Sequence, residues 1–215
     1  MVKNCIDAFY DRQNKMNGRY RNQVVKNVFF ILLIAWLFLF VLVFFSIVPI
    51  LGASMMPTVD TTDSTISNQR TKVFLWRSNN VKYNDIVVID FEYTFDGWGR
   101  LSTNSTDNST RNLIKRVVAV AGDAVSIEMH KGVYTLKVNG KWVDEPYING
   151  NMETGMSERV VSDGCVFVMG DNRNNSTDSR VLGEINVAHI VGKVFAIIDA
   201  RGFRFYSADT RMYID

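Results

Sequence analysis

The stretch Asn112-Leu113-Ile114-Lys115-Arg116-Val117-Val118-Ala119-Val120-Ala121-Gly122-Asp123-Ala124-Val125-Ser126-Ile127-Glu128-Met129 holds two short apolar runs, Leu113–Val120 and Ala124–Met129, parted by Gly122-Asp123. Runs of this length, rich in Val and Ile and bounded by turn formers, read as strands. The same signature recurs at Val73–Trp76, Ile86–Phe91, Val133–Val138, Val166–Met169 and Ile190–Ile198. Turn chemistry lies between the runs at Asn139-Gly140, Asp163-Gly164 and Gly170-Asp171. Tyr134–Val138, Asn139-Gly140 and Lys141–Val143 together form a hairpin signature. The expected fold class is therefore mainly β.

Upstream the pattern changes. Residues 28–51 form a stretch of twenty-four residues without a charge, broken only by Ser46 and Pro49. As a helix it would run about 36 Å, against a hydrocarbon core of ~30 Å. Lys3, Arg12, Lys15, Arg19, Arg21 and Lys26 precede it against Asp7 and Asp11, an excess that keeps a leading segment cytoplasmic. The expected organisation is a basic cytoplasmic segment (1–27), a transmembrane anchor helix (28–51) and an extracytoplasmic β-rich domain (52–215). A cleaved secretory signal is the competing reading, because Gly52-Ala53 follows the apolar run, but such signals carry apolar regions of only ~7–15 residues. Asp60–Thr71 and Thr94–Asn112 are polar stretches that read as surface loops.

Composition excludes several chemistries. With 24 basic and 22 acidic residues the formal charge is +2, so no field draws the chain to nucleic acid. Cys5 and Cys165 are expected on opposite sides of a membrane, which rules out a disulfide between them, and Cys165 reads as an ordinary strand residue. His130 and His189 stand outside any motif, no His-Glu-x-x-His string occurs, and neither a histidine triad nor a zinc site is expected. No cofactor is expected.

Three segments concentrate reactive groups. Ser54 lies three residues past the uncharged run, in Gly52-Ala53-Ser54-Met55-Met56-Pro57-Thr58; a lone serine there is ordinarily a cap or a loop residue. Lys115 and Arg116 interrupt an apolar strand and must point to opposite faces, so one of them is expected to face inward. Their plainer reading is an edge strand that uses lysine against aggregation. Gly170-Asp171-Asn172-Arg173-Asn174-Asn175-Ser176-Thr177-Asp178-Ser179-Arg180 follows a strand, and its two Asp, two Arg and two Ser are enough for a self-bracing polar network.

In order, character and relation to the apolar segment, these boxes resemble those of bacterial type I signal peptidases. The resemblance lies in Ser54-Met55-Met56-Pro57-Thr58, in Lys115-Arg116-Val117 through Gly122-Asp123, and in Gly170-Asp171-Asn172-Arg173 through Asp178-Ser179-Arg180; Asn84-Asp85-Ile86-Val87-Val88 is similar to the family's substrate-binding strand. It implies a membrane-bound serine endopeptidase that cuts signal peptides from exported precursors. Ser54 would be the nucleophile and Lys115 its general base. Ser176 would hydrogen-bond the lysine amine, Asp178 would brace that loop, and Asp171 and Arg116 would form an ion pair. Val48, Ile50, Met55, Val88, Leu113 and Ile114 match positions that line the substrate subsites, although core or anchor packing would explain each equally well. The implied partners are precursor proteins and membrane lipid, with neither metal nor nucleic acid. The chain departs from the pattern at Asn174, where many members have Asp, and at Gly52, where some have Ser or Thr able to donate to an oxyanion. Rival readings are a specialised serine–lysine processing peptidase of pilus or conjugation type and a catalytically silent binding domain of the same fold.

A lysine base requires help. At a free pKa of about 10.4 only ~4 in 10,000 amines are neutral at pH 7, and lowering the pKa to roughly 7–8 takes burial among apolar neighbours.

Overall fold

The computed structural model describes residues 2–50, 52–61, 71–78, 80–90, 94–95, 101–102, 112–199, 201–208 and 212–214. The chain divides after Phe44 into a helix and a β unit.

Helix α1 spans Val2–Phe44, and its apolar part, Tyr20–Phe44, has 25 residues. At 1.5 Å per residue that part is about 37 Å long, enough to cross a bilayer. From Val28 on it is apolar on all sides, as a lipid-facing helix is, and Trp36, Phe40 and Phe44 stack along one side at four-residue spacing. Two boundaries differ from the sequence reading. The basic leading segment is part of the same helix, and the helix ends at Phe44, seven residues before the end of the uncharged run. Phe45–Pro49 is instead strand β1, paired antiparallel with β2 (Lys72–Trp76) in the register Val48↔Val73. Pro49 lacks the N–H a helix needs and biases Val48 toward extended backbone, whereas an edge strand tolerates it. An apolar run carries no mark of where a helix gives way to a strand.

The remaining strands are β3 (Ile86–Ile89), β4 (Thr94–Phe95), β5 (Leu101–Ser102), β6 (Leu113–Val120), β7 (Ala124–His130), β8 (Val133–Val138), β9 (Lys141–Asp144), β10 (Met156–Val160), β11 (Cys165–Met169), β12 (Ile185–Asn186), β13 (Ile190–Asp199), β14 (Gly202–Phe205) and β15 (Met212–Ile214), with a single-turn helix α2 (Ser179–Leu182). The larger sheet runs β1-β2-β13-β3-β6-β11-β12, with β14 hairpinned onto β13, and the second runs β10-β7-β8-β9-β15. β4 and β5 form a separate ribbon within the polar stretch Thr94–Asn112. Residues 62–70 of the other polar stretch lie outside the described residues.

Every strand expected from the sequence is present. The strands not foreseen are β1, the short pairs β4/β5 and β12, and β10, β14 and β15, several of them short or polar.

Three apolar clusters hold the β unit. One joins Val48, Ile50, Met55 and Val59 to Val73, Leu75, Ile86, Val88, Ile114, Val194 and Ile197. A second packs Val87, Ile89, Val117, Val166, Val168, Ile185 and Ile190. The third packs Val125, Ile127, Leu136 and Val138 of the second sheet against Val118, Ala119, Phe167 and Met169. β3 and β6 therefore have both faces covered, and β6 is buried at six consecutive positions, Ile114–Ala119. This revises the expectation for the adjacent cations: Lys115 and Arg116 are both buried, 3% and 2% exposed, on opposite faces.

Candidate active site

Ser54 sits in the loop between β1 and β2. Gly52 takes a φ of 94°, a region costly for residues with a Cβ, and Thr61 Oγ1 donates to its carbonyl at 3.0 Å. The Met56 and Val59 N–H groups donate to the Ala53 and Met55 carbonyls, coiling the loop. Met55 and Val59 are its buried anchors, while Ser54, just before Met55, is only half-buried.

Lys115 reaches the same point from β6, where it pairs with Val87. Its Nζ lies 2.8 Å from Ser54 Oγ and 3.0 Å from the Ile114 carbonyl. Burial lowers the amine from 10.5 to about 8; Asp178 and Asp171 pull it upward and Arg180 presses it further down. Desolvation wins because no anion contacts the amine directly.

The third segment closes around this pair from behind. The Asn172 backbone N–H donates to the Ser54 carbonyl at 3.0 Å, and its Nδ2 donates to the Ala53 carbonyl at 3.1 Å. At Gly170 a Cβ would stand 2.3 Å from Ser176 Oγ and 2.5 Å from the Ser54 carbonyl, so this position has room only for glycine. Asp178 caps α2, accepts from Gly170 N–H at 3.0 Å and from Arg180 Nε at 2.8 Å, and lies well inside the protein. Burial would raise its carboxyl, but Arg180, the Gly170 N–H and Ser176 together hold it below the usual range. Ser176 Oγ is buried without a hydrogen-bond partner and lies close enough to Asp178 to help lower its carboxyl. The expected Ser176 bond to Lys115 is thus absent from this arrangement, in which Ser54 and Ile114 hold the amine. Ser179 Oγ instead accepts from the Val168 N–H at 3.0 Å, which is a structural role.

Comparison with known proteins bears on the family of the chain. The profile of the family described as "Signal peptidase, peptidase S26" matches residues 21–198. The chain belongs to this family. A signal peptidase I of Bacillus caldolyticus is 30% identical over 157 residues, 66% of this chain and 73% of that protein. A signal peptidase IB of Staphylococcus aureus is 37% identical over 117 residues, 46% of this chain and 56% of the relative, so the match spans little more than half of the staphylococcal protein. A crystal structure of a signal peptidase I from Enterococcus faecalis aligns with a TM-score of 0.37 at 21% identity, covering 53% of this chain and 96% of that one. Membership makes this peptidase a serine endopeptidase and hydrolase of the signal peptidase I kind, and its apolar helix fits a membrane anchor.

Around Ser54 and Lys115 lie two buried ion pairs. Arg116 Nε and Nη2 grip the Asp171 carboxylate at 2.7 and 2.6 Å. Its other donors reach Asn84 Oδ1 at 2.7 Å, Tyr206 Oη at 2.5 Å and Thr58 Oγ1 at 3.2 Å, so all five N–H groups are used. The Tyr147 ring stacks 3.8 Å from the guanidinium. Burial opposes the Arg116 charge, but the bond to Asp171 and its charge raise the pKa above the ordinary value. Behind it Arg173 pairs with Glu145 at 2.7 and 2.6 Å and donates to the Gly170 carbonyl.

Of the six expected subsite residues, Val48, Ile50, Met55, Val88 and Ile114 fall in one buried cluster, and half-buried Leu113 packs on another. A cavity of about 230 Å³ lined by Arg159, Val160, Val161, Phe167, Gly183 and Glu184 shares no residue with them. His130 stacks on Trp142 at the end of β7, and His189 lies in a 3-10 turn, Val187–His189; neither contacts Ser54. Cys165, the first residue of β11, is a free thiol whose pKa burial raises. Among the described residues no cluster of His, Cys, Asp and Glu suits a metal ion. Sequence reasoning passed over Asn172, Glu145, Tyr147 and Tyr206. Asn172 stood inside a quoted box and Glu145 follows the hairpin, but nothing local tells which distant group each meets.

Proposed function

We propose that the chain is a membrane-bound serine endopeptidase that removes N-terminal signal peptides from exported precursors by a Ser54/Lys115 dyad. The observation that carries this reading is the 2.8 Å approach of Lys115 Nζ to Ser54 Oγ, with the amine held near pKa 8. A neutral Lys115 accepts the Ser54 proton as Oγ bonds to the scissile carbonyl carbon, giving a tetrahedral oxyanion. Backbone N–H groups, that of Ser54 among them, receive the oxyanion, and Gly52 contributes no hydroxyl there. The ammonium then protonates the departing amine, the C–N bond breaks, and an ester on Ser54 remains. Lys115 next deprotonates a water that attacks the ester, and it returns the proton to Ser54 as the carboxylate leaves. No metal or cofactor enters these steps.

Asp178 and Ser176 act on this pair from the third segment, and the Arg116–Asp171 pair keeps β6 and that segment in register. Substrate specificity falls to small side chains at the last and third-last signal positions, received by surfaces built from Val48, Ile50, Met55, Val88, Leu113 and Ile114. The contacting rings Phe45, Trp76, Phe195, Phe74, Phe203 and Phe205, of which Phe205 is 80% exposed, offer a face suited to lipid. The leading segment stays cytoplasmic and the β unit outside. Protease added to spheroplasts is expected to digest the β unit and spare a tag at Met1; loss of the tag inverts this topology.

The decisive experiment is precursor cleavage by detergent-solubilised Ser54→Ala protein. The variant is expected to fold and to retain less than about a thousandth of wild-type turnover. Turnover above that level removes Ser54 from the nucleophile's role.

A further inference from the structure

The family match ends at residue 198, and the next residues reach back to the nucleophile loop. Asp199, the last residue of β13, has a fully buried carboxylate. It accepts from the Asp60 backbone N–H at 3.2 Å, from Arg201 N–H at 3.0 Å, from Arg201 Nη2 at 2.8 Å and from Arg204 Nη2. The same two guanidinium groups each donate to the Thr58 carbonyl, at 3.0 and 3.3 Å. A hairpin aspartate that only braces its own turn would take the Arg201 N–H and stop there. Here the carboxylate and its arginines also hold a loop 139 residues away in sequence.

The held residues matter to the site. Thr58 and Asp60 follow Ser54 in one coiled loop whose other end Asn172 grips at Ala53 and Ser54. Thr58 Oγ1 also accepts from Arg116, the neighbour of Lys115 in β6. Asn172 thus fixes one end of the nucleophile loop, and the Asp199 group fixes the other.

We propose that Asp199, with Arg201 and Arg204, is a positioning group that keeps the nucleophile loop in register with Lys115, setting both the approach of Ser54 and the dryness of the amine. Two donors on one carbonyl make Arg201 and Arg204 partly redundant, with Asp199 as their common partner. This inference rests on the Ser54/Lys115 reading.

The test uses the whole chain in detergent micelles, cleaving one precursor between pH 6 and pH 10. For Asp199→Asn, and for Arg201→Gln combined with Arg204→Gln, kcat is expected to fall ~10- to 100-fold while KM stays within about threefold, because geometry and not substrate affinity is lost. Either arginine change alone should lose less than about threefold. The acidic limb of kcat should also move up by at least about half a pH unit as water reaches Lys115. The charges that act on Lys115 are Asp178, Asp171 and Arg180, and those on Asp199 are Arg201 and Arg204, with the Asp60 N–H. Direct loss of the Asp199 anion would lower the lysine pKa or leave it alone, so an upward move in Asp199→Asn marks the loop; in the double arginine variant loss of two cations would itself favour the ammonium, so there kcat alone is read. Wild-type kcat in the Asp199→Asn and double-arginine variants overturns the proposal. So does a loss that tracks the folded fraction by circular dichroism with the limb unmoved. Arg201 and Arg204 are partly exposed, so the arginine variants keep the test open if Asp199→Asn fails to fold. Ser54→Ala in the same assay separates the two failures: an active Ser54→Ala sinks the dyad and this inference with it, whereas an inactive Ser54→Ala beside wild-type kcat in the Asp199→Asn and double-arginine variants sinks this inference alone.

Discussion

Replacing Lys115 by Met should abolish cleavage and at the same time stabilise the fold. Lowering the amine from 10.5 to about 8 means the folded state disfavours the ammonium by about 2.5 pH units, or about 3.4 kcal/mol at ~1.36 kcal/mol per unit. The sign follows from proton counts. Below pH 8 the amine is protonated in both states and the folded protein bears the whole penalty. Between pH 8 and 10.5 the unfolded chain binds more protons than the folded one, so wild-type stability rises with pH; above 10.5 the penalty is gone. Methionine matches the length of the lysine stem without its charge. It forfeits the contacts to Ser54 and the Ile114 carbonyl, at about 1 kcal/mol each, which leaves a net gain of about 1 kcal/mol at pH 7. The assay is urea unfolding of wild type and variant at pH 7, 8, 9 and 10. The stability difference, variant minus wild type, should be positive at pH 7 and fall by about 2.5 kcal/mol across the series, turning negative by pH 10. A difference that stays constant over that range would show that the lysine pKa is not depressed, and the dyad would lose its physical basis. The same pKa sets the acidic limb of wild-type kcat near 8, with about one amine in eleven neutral at pH 7.

The two serines of the third segment should separate cleanly. If the Ser176 hydroxyl, partnerless in this structure, turns onto the Lys115 amine during turnover, Ser176→Ala is expected to cut turnover ~5- to 150-fold and shift the acidic limb, whereas Ser179→Ala leaves the Val168 N–H unsatisfied and loses about 1–3 kcal/mol of stability with the limb unmoved. Equal rate losses in the two, measured with matched folded fractions, would refute that assignment. Gly170→Ala places a methyl against Ser176 Oγ and the Ser54 carbonyl and should reduce kcat at least ~100-fold while the Arg173–Glu145 pair keeps the fold. Near-normal turnover would show that the loop yields at no catalytic expense.

Much of the β unit was legible because strand signals are local. Leu113–Val120 and Val133–Val138 appear in the structure with the boundaries read from sequence, since alternation limits, β-branched residues and Gly or Asn turns act over a few residues. Ser54, Lys115 and the third segment could be singled out because a cation inside an apolar strand and a polar cluster after one are locally anomalous. Tertiary structure alone decided the rest. The end of α1 at Phe44 depends on β2 offering a partner to Phe45–Pro49, and a run of apolar residues satisfies lipid or a sheet equally well. Burial of Lys115 and Arg116 together required layers on both faces of β6, which strand periodicity cannot report. The 2.8 Å contact between Ser54 and Lys115, 61 residues apart, and the grip of Asn172 and Asp199 on the loop that carries Ser54 arise from chain crossings. Sequence fixes which groups carry chemistry through their side chains, but distance and desolvation, which turn a lysine into a base, exist only once the sheet brings remote segments together.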